Sequence, residues 1–157
     1  MRKRIIDQNP PHASPGDDIW LDLHHLAQVE LTSEEAGHPI EAALTPGEGS
    51  GWRAAQGGEQ TIRLLFDAAQ KVRRIQLLIC EDQRARTQEF VLRWSPDGGR
   101  SYRDIVRQQY NFSPPDMTRE LEDYTVDLVA VTALELRIIP DIGGGDARAS
   151  SARLRIA

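Results

Sequence analysis

The chain has 157 residues, enough for one domain that removes about two thirds of its unfolded surface from water. Its 19 basic and 24 acidic residues leave a net charge of −5, which gives nucleic acid or an anionic membrane no electrostatic reason to bind. Met1–Arg4 leads into only Ile5 and Ile6 before Asp7, too little apolar length for a signal peptide, and no run approaches a membrane span. With Cys80 as the single cysteine and no internal disulfide available, the expectation is a soluble cytoplasmic protein.

Residues 1–18 hold three prolines and few apolar side chains, so they read as a flexible lead-in to a domain over 19–157. Ile19-Trp20-Leu21-Asp22-Leu23 fits either one helical turn or a short strand, because the run is too brief for periodicity to decide. Strands are expected over Ala27–Thr32, Ile40–Leu44, Gln60–Phe66, Val72–Glu81, Thr87–Ser95, Tyr102–Gln109, Arg119–Leu128, Thr132–Pro140 and Ala149–Ile156. Ile62, Leu64 and Phe66 alternate with polar or mixed residues, as do Ile75, Leu77 and Ile79, and Leu134, Leu136 and Ile138. Such alternation belongs to antiparallel sheets with one face in a core. No long amphipathic helix separates the runs, which excludes a parallel α/β sheet.

The stretch Thr87–Tyr102 carries the most information. Phe90, Leu92 and Trp94 share one strand face, Ser95-Pro96-Asp97-Gly98-Gly99 supplies turn chemistry with glycines free to take positive φ, and Ser101-Tyr102 begins the return. The order S-x-D-G-x-x-S-Y after a strand resembles the central hairpin of the discoidin, or coagulation factor 5/8 type C, family of the galactose-binding-like fold. Gly51-Trp52-Arg53-Ala54, Gln60–Asp67, Leu134–Pro140 and Ala149–Ile156 are similar to further family segments in the right order. The resemblance implies an all-β jelly-roll sandwich and a non-catalytic binding module, with carbohydrate as the leading ligand. The alternative is an intracellular protein-interaction or scaffold subunit of the same fold.

Two departures from the family stand out. Where calcium-holding relatives place a glutamate entering the last strand, this chain has Arg153, which cannot ligate a hard cation. A calcium site would have to come from Glu48, Asp141 or Asp146, and no metal or other cofactor is expected. The lone Cys80 also removes the clamping disulfide of secreted animal members.

All four histidines, His12, His24, His25 and His38, precede the strand-rich body, so no Ser-His-Asp or Cys-His site is expected and they read as surface residues. The densest polar segment, Glu81–Glu89, is expected at a sandwich rim, where acids, guanidiniums and amides can bind a sugar or a partner's carboxylate, or form solvated ion pairs. Gln108–Pro115 is a second candidate loop; Tyr110 and Phe112 either face a ligand or plug the sandwich end. Gly143-Gly144-Gly145 is a permissive loop whose flanking Asp141, Asp146 and Arg148 face the same rim. The expected ligand-binding residues are Arg86, Gln88, Glu89, Gln109, Tyr110 and Asn111, with Trp52 as a stacking plane or packed under its loop. The expected partner is a carbohydrate or a protein, with neither nucleic acid nor membrane.

Overall fold

The computed structural model describes residues 20–45 and 51–157; the lead-in, His12 and Glu48 lie outside them. The elements in chain order are α1 (Leu23–Leu26), β1 (Ala27–Leu31), α2 (Glu41–Leu44), β2 (Trp52–Arg53), β3 (Gln60–Cys80), β4 (Arg86–Ser95), β5 (Arg103–Phe112), β6 (Arg119–Ile139), β7 (Ser150–Ser151) and β8 (Arg153–Ile156). Every strand pair is antiparallel.

Two long bent strands organise the sandwich. The first part of β3 pairs with β1 and with the last part of β6, which continues through β4 to β5. The second part of β3 pairs with β8 and with the first part of β6. Between the two parts the β3–β6 register shifts at Leu65, Gln70, Val72 and Arg74, and Ala130 takes a positive φ of 62°. The four separate strands expected over 60–81 and 119–140 are therefore two continuous ones. The sequence carries no glycine or proline at 67–71 or 128–132, so nothing stops the ladder, and it bends with exposed Asp67, Ala68 and Ala69 at the corner.

The core lies between the layers. Ile62, Leu64 and Phe66 of the first part of β3 face Ile75, Leu77 and Ile79 of the second, with Phe90, Leu92, Leu134, Leu136, Ile138, Leu154 and Ile156 filling the space. The alternation that burial requires is present on each of these strands, which is why their faces were legible from sequence. Ile40–Leu44 departs from expectation and is a helical turn: it follows Pro39, contains two alanines, and buries Ile40, Ala43 and Leu44 at helical spacing. Leu23–Leu26 is also a helical turn.

The predicted hairpin is present. Gly98 and Gly99 hold φ of 76° and 92°, Asp97 accepts from the hydroxyls of Ser95 and Ser101 and the Ser101 amide, and the Gly98 amide donates to Thr132 Oγ1. Trp94, expected in the core, is only partly buried: the ladder shifts register at Leu92/Arg93, and Arg103 covers the ring with its guanidinium carbon 5.2 Å from the ring centre.

Candidate functional site

Where β3 ends, four segments enclose an open cleft of about 620 Å³. One wall is the β3–β4 connection, with Cys80, Glu81, Asp82, Gln83 and Arg84; the opposite wall is the approach to β7, with Asp146, Ala147, Arg148 and Ser150. His38 and the strand β2, with Trp52 and Arg53, complete it. Backbone hydrogen bonds hold these segments in place: Arg53 N donates to His38 O at 3.1 Å, Glu35 N to Arg53 O at 2.8 Å, and Ala54 N to Ala149 O at 2.9 Å. Trp52 lies beneath the cleft, 1% exposed, with its indole N–H donated to Ser33 O at 3.0 Å.

The charges are arranged in pairs across loops. Arg84 NH1 reaches Asp146 Oδ1 at 2.9 Å, joining the two walls; the bond holds the Asp146 carboxyl below its ordinary value and the Arg84 guanidinium above its own. Burial pushes the Glu81 carboxyl up, but the Arg86 guanidinium and the amides of Gln83 and Arg84 outweigh it, and the net direction is down. Arg53 and Arg148 share one carboxylate, Glu35, at 3.6 and 3.7 Å, distances that balance charge without making good hydrogen bonds. Their donors therefore remain available. His38 Nδ1 is enclosed and has no hydrogen-bond partner. Among the described residues no hydrogen bond joins Cys80 to a histidine, and no group of three or more His, Cys, Asp or Glu side chains is placed to hold a metal ion.

The expected ligand residues are distributed differently. Arg86 and Gln88 are buried, because β4 begins at Arg86 and the pleat turns both inward. Arg86 donates to Glu81, Gln88 and Pro140 O and lies over the Phe112 ring, so its fork is already occupied. Gln109, Tyr110 and Asn111 belong to a strand and not to a loop, since β5 runs on to Phe112 with Tyr110 and Phe112 turned toward the core. Tyr110 donates its hydroxyl to Arg119 O and meets Phe112 edge to face at 4.8 Å, which makes them the plug of the sandwich end. Glu89 bonds Arg107 and Gln109, and Asn111 accepts from Thr87, forming a flat ladder on the outer sheet face. Of the seven residues only Trp52 lines the cleft, from below.

The cleft takes the first half of the predicted polar segment, Glu81–Arg84, together with Asp146 and Arg148, which the sequence had placed at the same rim. His38 and Arg53 were missed. His38 carries no local signal, and its place follows from pairing to Arg53 across a connection that sequence pattern does not reveal. Trp52, offered by the sequence as a stacking plane, and Phe112 are each 1% exposed and present no aromatic face to a ligand.

No protein-family model matches the chain, and no curated protein sequence matches it. Solved structures do. The family 32 carbohydrate-binding module of NanJ from Clostridium perfringens, in complex with galactose, superposes with a TM-score of 0.65 at 15% identity, over 87% of this chain and 96% of that one. The module CpGH89CBM32-5 of Clostridium perfringens, in complex with GalNAc-β-1,3-galactose, gives 0.65 at 19% identity over 88% and 99%. Chitosan-binding module 1 from a chitosanase/glucanase of Paenibacillus sp. IK-5 gives 0.53 at 19% identity over 87% and 98%. The likeness is one of fold: the chain has the galactose-binding-like β-sandwich fold that its sequence resemblance implied.

Proposed function

We propose that the chain is a non-catalytic carbohydrate-binding module whose ligand occupies the cleft at the end of β3. The observation that carries this reading is the lining itself: three arginines, Arg53, Arg84 and Arg148, stand against three acids, Glu81, Asp82 and Asp146, with Gln83 and His38 between them. Such a surface offers many directed donors and acceptors with no net charge, which suits a neutral polyol better than an ion. The fold neighbours in complex with galactose and with GalNAc-β-1,3-galactose support the ligand class. With Trp52 buried beneath the cleft, recognition rests on hydrogen bonds to ring hydroxyls.

A glycan array followed by calorimetry with galactose tests this. Arg84→Ala and Asp82→Ala each lower affinity by about 1 kcal/mol or more, at least fivefold, without lowering the melting temperature. A glycan signal unchanged by both variants, or no signal on any glycan at high protein concentration, overturns the reading.

A further inference from the structure

The interior of the sandwich holds a line of polar side chains that the cleft alone does not explain. Glu81, on the cleft wall, accepts from Arg86 Nε at 2.8 Å; Arg86 NH1 donates to Gln88 Oε1 at 3.0 Å; Gln88 Nε2 donates to Glu120 Oε1 at 2.9 Å. Glu120 meets the carboxyl of Glu122, which accepts from the Tyr124 hydroxyl at 3.1 Å. Arg86, Gln88 and Glu120 are all buried. Burying such groups is costly unless each is satisfied, so a line of them kept through a core is there to fix geometry.

We propose that Arg86, Gln88 and Glu120 are positioning residues for the cleft, and that protonation of Glu120, buried beside Glu122, sets how firmly Glu81 and its loop are held. The proposal rests on the reading of that cleft as the binding site. At the outer end, Glu81 does more than face the cleft: its Oε2 accepts the Gln83 amide at 3.1 Å, so the carboxylate ties down the turn that presents Asp82, Gln83 and Arg84. The bond from Arg86 orients that carboxylate.

At the inner end, Glu120 Oε2 is enclosed and has no donor when both carboxyls are ionised. A proton on Glu120, bonded to the Glu122 carboxyl, satisfies it. The elements around Glu120 offer little other help. β4 contributes Arg86 and Gln88, β6 contributes Glu122 and Tyr124, β5 contributes Tyr110 and Phe112, with the Tyr110 hydroxyl directed to Arg119 O, and β3 places apolar Ile79 opposite. Burial, then the bond and charge of Glu122, push the Glu120 carboxyl up to about 8 against the opposing pull of Gln88 and Arg86. When Glu120 loses its proton, it stands as a buried anion beside the half-buried Glu122 carboxyl, with one cation within the line, Arg86. Its guanidinium is drawn toward Gln88 and Glu120, and its hold on Glu81 slackens.

The test follows the Arg86 Nε–Hε resonance and the Gln83 and Arg84 amides by NMR from pH 6.5 to 9.5, in a Cys80→Ser background that removes the thiol from the cleft. All three report a common midpoint near 8 in the parent; the transition is lost in Glu120→Gln and moves to lower pH in Glu122→Gln, two variants that keep the side-chain shape. Galactose is the binding probe. Its affinity falls threefold or more between pH 7.5 and 9.5 in the parent and stays flat in folded Glu120→Gln. An Arg86 signal that does not titrate, or that titrates equally in both glutamine variants, overturns the proposal. Titrating resonances with no galactose binding at any pH leave the relay standing and count against the cleft's assigned ligand.

Discussion

Burial of Glu120 beside Glu122 gives the fold a pH dependence opposite in sign to that of an ion-paired carboxylate such as Asp123, whose pKa Arg74 lowers. The native pKa of Glu120 is raised from 4.5 to about 8, so between these values the folded chain binds more protons than the unfolded one. The stability tied to that proton is fully present below pH 4.5 and is lost as pH rises through about 8. Denaturant titrations at pH 5 and pH 9 therefore show the parent losing stability relative to Glu120→Gln, by an amount on the order of a few kcal/mol. A difference that stays constant with pH contradicts the buried pair. Gly98 supplies a second single-residue test. Its φ is +76°, yet a Cβ there would meet nothing within 4 Å, so the whole cost of a side chain is backbone strain. Gly98→Val is expected to lose about 1–2 kcal/mol and Gly98→Asn distinctly less, since asparagine tolerates the left-handed region. Equal losses in the two variants would point to a steric cause that the turn does not contain.

At the level of elements, the close approach of β2 to β7 decides the floor of the cleft. Gly51 has φ of +73°, and a Cβ added to it would collide with the Ser151 carbonyl oxygen and lie 2.6 Å from the Ala152 Cα. Gly51→Ala is therefore expected to cost about 3 kcal/mol, combining left-handed strain with backbone overpacking, and to change the fluorescence of Trp52 as β2 is pushed off β7. Parental stability and emission would show that these strands can separate freely. The sequence revealed most of the strands because burial of one face imposes a period of two, seen at Ile62–Phe66, Ile75–Ile79 and Leu134–Ile138. It revealed the hairpin because Asp97-Gly98-Gly99 has specific turn chemistry. Strand ends were less legible. A polar residue such as Arg86, Gln88 or Asn111 reads as loop unless the hydrogen-bonded neighbour that satisfies it is known, and those neighbours lie 32 residues away for Gln88–Glu120 and 24 for Thr87–Asn111. Arg86 and Gln88 thus lie in the core and Asn111 in the outer ladder for one shared reason.

For the molecule as a whole, the sandwich spends its apolar side chains between the layers and leaves directed polar groups at the end where β3 stops. Loops on a rigid scaffold carry recognition at low ordering cost, and the Arg84–Asp146 bond and the Glu81 tie hold two of these loops in place. The rim itself was legible in Glu81–Arg84, Asp146 and Arg148. Its completion by His38 and Arg53 was not, because only the folded topology brings them there. The most direct measurement is a galactose titration of the uniformly labelled protein followed by amide chemical shifts. The account predicts perturbations confined to His38, Arg53, Glu81–Arg84 and Asp146–Arg148. Perturbations centred instead on the outer ladder of Glu89, Gln109 and Asn111, with the cleft silent, would contradict it.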